Sequence, residues 1–116
     1  MKVLLVDDER KFATMLAKRL VLREIDIDPV FTGEDALVKA ESQRYDVAIL
    51  DVKMPGIGGL ELERKLKELD PGMKIIFLTG HGSKTDFETG SVNATCYLAK
   101  PIKIDELITI LREVTG

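Results

Sequence analysis

Val3-Leu4-Leu5-Val6-Asp7-Asp8 sets an uninterrupted apolar run directly against a pair of acids. Four apolar residues bounded by polar ones read as a strand buried on both faces. The two aspartates then stand at its carboxyl end. Val47-Ala48-Ile49-Leu50 runs into Asp51 in the same way, and Leu98-Ala99 leads into Lys100-Pro101. If these strands lie parallel in one sheet, Asp7, Asp8, Asp51 and Lys100 all emerge at the same edge. Clustered carboxylates repel one another, a cost that packing does not explain. Three negative charges against one positive leave a balance of minus two, which one divalent cation cancels. Such a site suits a bound cation and an anion that arrives later.

The segments between these ends alternate in type. Residues 2–6 form the first strand. Residues 9–22 carry the helical spacing Phe12, Leu16, Leu20, with Asp8 placed to cap them. Residues 26–31 are a second strand, which Pro29 confines to an edge or near-edge position. Thr32-Gly33-Glu34-Asp35 is a cap and first turn for a helix running to about Gln43. Residues 46–50 are a central strand. Residues 53–59, dense in Gly and Pro, are a loop. Residues 60–69 are a helix with Leu62, Leu66 and Leu69 on one face, and residues 74–79 are a fourth strand. Residues 83–92 read as a weak helix, because Gly90 sits inside it and apolar anchors are few. Such a helix should be locally unstable, ordered only by an event at the site. Residues 95–98 are a fifth strand. Residues 104–114 are the last helix, with Ile104, Leu107, Ile108 and Leu111 as its buried seam. Ile110 and Val114 fall off that seam and are expected to be exposed, a surface for a homodimer. Five strands alternating with five helices imply a doubly wound α/β fold, a parallel sheet covered on both faces. Ligands of such sheets bind at the carboxyl ends of the strands.

With 116 residues the chain makes one domain. Its net charge of −3 gives no nucleic-acid or anionic-membrane footprint. The single Cys96 closes no disulfide within the chain, which favours a reducing, cytoplasmic setting. The opening apolar run is too short for a signal segment, and no stretch approaches membrane-spanning length. Cys96 is expected to be a small buried apolar residue, and His81 an ordinary loop residue near the site rim.

Four pieces together resemble the receiver domain of two-component response regulators. They are Leu5-Val6-Asp7-Asp8-Glu9, Asp51-Val52-Lys53-Met54-Pro55-Gly56, Thr79-Gly80-His81 and Tyr97-Leu98-Ala99-Lys100-Pro101. Their order and spacing span nearly the whole chain, so the resemblance covers residues 1–116 as one receiver domain. It implies a flavodoxin-like sheet with strand order 2-1-3-4-5. It also implies a phosphorylation switch. Asp51 would accept a phosphoryl group from a sensor histidine kinase or phosphotransfer protein. Asp8, Asp51 and the Lys53 backbone carbonyl would hold Mg²⁺, with Asp7 acting mostly through metal-bound water. Thr79, the Gly80 N–H and Lys100 would bind the phosphoryl oxygens. Thr79 and Tyr97 would form the switch. The surface made by the fourth helix, fifth strand and last helix would then control an output domain or effector protein. No activity beyond the domain's own phosphorylation and dephosphorylation is implied. A cis bond before Pro101 is also usual in the family. Gly58, Ile102 and Asn93-Ala94 depart from the common pattern without touching a reacting group. Two alternatives are a passive docking module of the same fold and a Mg²⁺-dependent hydrolase working through an aspartyl phosphate. The hydrolases place their two aspartates two apart on one strand, unlike the adjacent pair here.

Overall fold

The computed structural model describes residues 1–80 and 96–116. The described elements are β1 (Lys2–Val6), α1 (Arg10–Leu22), β2 (Asp26–Val30), α2 (Gly33–Ser42), β3 (Val47–Leu50), α3 (Gly59–Leu69), β4 (Lys74–Thr79), β5 (Cys96–Ala99) and α4 (Ile104–Thr115). The helix expected over residues 83–92 and His81 lie outside the described residues. All strand pairings are parallel, in the order β2-β1-β3-β4-β5. This is the flavodoxin-like order, with β2 at an edge where Pro29 is tolerated and β3 in the centre.

Side chains alternate across the strands and feed two separate cores. Val3, Leu5, Val47, Ile49, Ile76 and Leu78 meet the apolar faces of α1 and α4. Leu4, Val6, Ala48, Leu50, Ile75 and Phe77 meet those of α2 and α3. A period of two within continuous apolar runs means that both sheet faces are covered, as the runs imply. At the other end of the sheet, the buried Tyr45 hydroxyl donates to Asp28 Oδ2 at 2.6 Å. That bond ties edge strand β2 to the segment entering β3.

Register brings the strand ends level. Val6 pairs with Leu50, Leu50 with Phe77, and Phe77 with Tyr97. The ladder continues one step further, since the Asp51 N–H donates to the Val6 carbonyl at 3.0 Å and the Asp7 N–H to Val30 at 3.2 Å. Asp7 and Asp51 are therefore held by backbone as rigidly as the strands they follow. Their place between β1 and β3 is the switch point, where the chain passes from one side of β1 to the other.

Three expectations are corrected. Asp8 does not cap α1: Glu9 occupies the cap position without a side-chain cap, and its N–H donates to Asp7 Oδ1 at 2.9 Å. Asp8 stays exposed. Ile110 and Val114 are partly buried against the first core, not exposed. The apolar stripe of α4 is wider than one seam because the helix beds against α1 as well as the sheet, an Arg23–Asp105 ion pair of 2.7 Å joining the two helices. Cys96 is half-buried, not fully enclosed. Thr32 does cap α2, accepting from the Asp35 N–H at 3.1 Å.

The start of α3 is pressed onto the end of β3. A Cβ at Gly59 would overlap the Asp51 carbonyl oxygen, whereas one at Gly58 would sit 3.6 Å from the Val52 carbonyl, an ordinary contact. Gly59→Ala should therefore cost about 1–3 kcal/mol through forced backbone shifts, and Gly58→Ala should be close to neutral. Thermal melts of the two variants check this; equal melting temperatures would contradict it.

Candidate functional site

Each β-strand that points at the site ends where its apolar run ends, because a charged residue cannot continue into the core without a partner. Asp7 and Asp51 are each 1% exposed, and Asp8 is exposed beside them. One carboxylate oxygen from each of the three lies within 4.8 Å of the others. Lys100 arrives from the far side, past β5, on a cis Lys100–Pro101 bond. Its ammonium is 2.7 Å from Asp7 Oδ2, 2.7 Å from Glu9 Oε1 and 3.8 Å from Asp51 Oδ2. The Phe12 ring lies beneath it, 4.3 Å from Nζ to the centroid, a cation–π contact. Gly80 lies along the lysine stem, where a Cβ would be 3.5 Å from Lys100 Cδ. Thr79 closes β4, in register with Ala99. The Tyr97 ring stacks on Phe77 with centroids 5.8 Å apart and planes 8° from parallel.

Both Asp51 side-chain oxygens are buried and have no hydrogen-bond partner among the described residues. A buried carboxylate left so is unfavourable unless an ion or a reaction uses it. Three clustered carboxylates, that of Asp51 without a hydrogen-bond partner among the described residues, are hard oxygen donors in an incomplete shell, a fit for a small divalent cation. Among the described residues no His or Cys joins the cluster. The structure therefore brings together Asp7, Asp8, Asp51, Lys100 and Gly80 as expected. Lys53 opens the loop that follows Asp51.

That loop has its own anchor. Gly56 has φ +74°, a left-handed conformation that glycine adopts without strain. The Ile57 N–H donates to Glu34 Oε1 at 3.2 Å, and Gly33 lacks the Cβ that would meet Ile57 Cβ at 2.8 Å. The α2 start thus packs onto the loop after β3.

Two participants were not assigned from sequence. Glu9 stands in the quoted motif directly after the aspartate pair, but its contact with a lysine 91 positions away has no local signature. The four-residue spacing of Phe12 with Leu16 marks it as helix packing and hides its position under Lys100.

The charges perturb each other. Burial pushes the Asp7 carboxyl above its ordinary value, against the opposing pull of Lys100 and the Glu9 N–H, and the Asp51 charge adds to the rise. Burial alone would lower Lys100, but its hydrogen bonds to Asp7 and Glu9 and the charges of Asp7 and Asp51 outweigh that, and the net shift is upward.

The chain belongs to the response regulator receiver domain family, whose model it matches over residues 3–112. It is 36% identical over 113 residues to the transcriptional regulatory protein TctD of Salmonella typhimurium, a match covering 97% of this chain and 50% of TctD. The chain spans about half the length of the curated relatives it matches. Among solved structures, the response regulator TrrA of Thermotoga maritima in complex with Mg²⁺–BeF superposes with a TM-score of 0.87 at 36% identity, covering 98% of this chain and 99% of TrrA. TrrA in complex with the histidine kinase ThkA gives 0.88 at 35% identity, with both chains fully covered.

Two outcomes follow from the charges. In metal-free buffer, Asp51→Asn should melt higher than wild type by about 4–8 °C per kcal/mol of relieved repulsion, and a divalent cation should stabilise the variant less. A lower metal-free melting temperature with an unchanged metal response would contradict the crowding. Lys100→Met should lose about 3 kcal/mol near neutral pH, because Asp7 is left buried without its counter-charge. The raised Asp7 value means that the protonated carboxyl favours the fold, so the contribution is complete below 3.8 and lost as pH rises through the folded value. The deficit of Lys100→Met should accordingly shrink as pH falls toward 3.8. Lys100 itself acts at the alkaline end. Its contribution is complete below 10.5 and lost as pH rises through its raised folded value. Wild type should therefore lose stability in that range more steeply than Lys100→Met. Denaturant titrations across pH test both limbs; a pH-independent gap would contradict them.

Proposed function

We propose that this domain is a phosphorylation-activated switch of a two-component system, with Asp51 as its phosphoryl acceptor. The observation that carries the reading is the Asp51 carboxylate, buried beside Lys100 and two further acids with neither oxygen hydrogen-bonded among the described residues. Asp51 attacks the phosphorus of a phosphohistidine on a sensor histidine kinase or phosphotransfer protein. A P–O bond to Asp51 forms as the P–N bond breaks, and the departing imidazole keeps the electron pair and takes a proton. Dephosphorylation is attack by water, which returns the carboxylate and inorganic phosphate. The domain catalyses these steps only on itself.

Asp8, Asp51 and the Lys53 carbonyl, with Asp7 behind them, are the groups to hold Mg²⁺, which when bound neutralises the acidic cluster and the charge of the transferring group. TrrA, in complex with Mg²⁺–BeF, is a relative of this fold and supports the assignment. The Lys100 ammonium pairs with the phosphoryl charge. Thr79 and the Gly80 N–H donate to its oxygens. Thr79 and Tyr97 relay occupancy to β5 and α4, which act on an output domain or effector protein together with the segment of residues 83–92. TctD, with about twice this length, is a transcriptional regulator and supports that arrangement. The TrrA–ThkA complex supports a histidine kinase as the donor. We place the reaction in the cytoplasm; among the described residues no helix is long and apolar enough to cross a membrane.

Intact-mass spectrometry after incubation with Mg²⁺ and acetyl phosphate tests the acceptor. Wild type should gain one phosphoryl group that survives acid and is released by hydroxylamine, and Asp51→Ala should gain none. Equal labelling of both proteins would overturn the assignment.

A further inference from the structure

Lys100 is hydrogen-bonded away from the residue it is expected to serve. Its ammonium has three donors, and two are committed at 2.7 Å, to Asp7 and to Glu9, while the nearer Asp51 oxygen stands at 3.8 Å. Among the described residues neither Asp51 oxygen has a hydrogen-bond partner, although the ammonium is only 3.8 Å from one of them. The Phe12 ring holds the ammonium from below on the α1 side. Glu9 and Phe12 both come from the start of α1, so that end of the helix draws the lysine toward β1.

The two hydrogen-bonded acids are not equivalent. The Asp7 side chain is 2% exposed and the Glu9 side chain 50%. Leaving Asp7 strips a buried carboxylate of its counter-charge, whereas Glu9 released from the lysine is taken up by water. We propose that Glu9 is a positioning residue that detains the Lys100 ammonium, so that a phosphoryl group on Asp51 must compete with Glu9 for it. A phosphoryl group brings close to two negative charges and three acceptor oxygens, enough to displace a single half-exposed carboxylate. Glu9 thereby sets how strongly the occupied state is favoured over the empty one. This inference rests on Asp51 being the phosphoryl acceptor.

The full chain is titrated with beryllofluoride at saturating Mg²⁺, and separately with Mg²⁺ alone, followed by amide chemical shifts. Wild type, Glu9→Gln and Glu9→Ala are compared, with melting temperatures recorded. Both variants should bind beryllofluoride tighter, by roughly three- to tenfold, the span of one charge-assisted hydrogen bond to a half-exposed partner. Glu9→Ala should show at least the effect of Glu9→Gln, because its side chain keeps no acceptor. Mg²⁺ alone should bind no tighter, since a negative charge has been removed. A merely structural Glu9 would instead lower the melting temperature and weaken both ligands. Beryllofluoride affinity that is unchanged or weaker in Glu9→Gln overturns the inference. If wild type takes up phosphate on Asp51 while the variants bind no tighter, only the role of Glu9 falls. If wild type neither labels nor binds beryllofluoride, the acceptor reading falls with it.

Discussion

At the carboxyl edge of the sheet, the Lys100 ammonium is shared among Asp7, Glu9 and Asp51. It is the counter-charge that lets two aspartates stand buried side by side between β1 and β3. Without it, the parallel register that levels Val6 with Leu50 would bring two bare carboxylates together with nothing to offset them. With it, the cluster still carries excess negative charge, because one ammonium answers Asp7, Asp8, Asp51 and Glu9. The domain is thus built in a state that a bound cation would improve. Stability and chemistry draw on the same few atoms here, whereas elsewhere in the molecule they are kept apart.

That separation follows from the strands. Each apolar run feeds alternate side chains to two cores and then stops, and the charged residue that stops it becomes part of the site. The cores therefore lie below the acidic cluster. Backbone pairing carries the positional information across the boundary, through the Asp51 N–H to Val6 and the Asp7 N–H to Val30. The flanking loop is then set by glycines where backbone or side chain comes too close for a Cβ, at Gly33 against Ile57 and at Gly59 against Asp51.

The sheet, its order and the charged strand ends were legible because an apolar run followed by an acid is a local pattern with a global consequence. Asp7, Asp51 and Lys100 could be placed at one edge from parallel pairing alone, and the strand order followed from family resemblance. What resisted reading was whatever depends on a partner distant in sequence. Glu9 looks like any acid near a helix start until Lys100 arrives from 91 positions away. Asp8 looked like the cap of α1, but the helix begins one residue later, with Glu9 at the cap position and its N–H donating to Asp7. Ile110 and Val114 fall outside a single helical stripe, yet α4 lies in a trough between the sheet and α1 that covers a broader arc. In each case local periodicity was right about the element and silent about its neighbour.

The tight seat of Gly59 on the Asp51 carbonyl has a mechanical meaning. Helix α3 is a stiff rod of 11 residues mounted at one end on the Asp51 peptide. At about 1.5 Å per residue its far end lies roughly 16 Å from that mounting. A tilt of about 4° at the pivot carries Leu69 through about 1 Å, an amplification of motion with distance that needs no rearrangement within the helix. The absence of one methyl group at Gly59 makes the mounting close enough to act as a fulcrum.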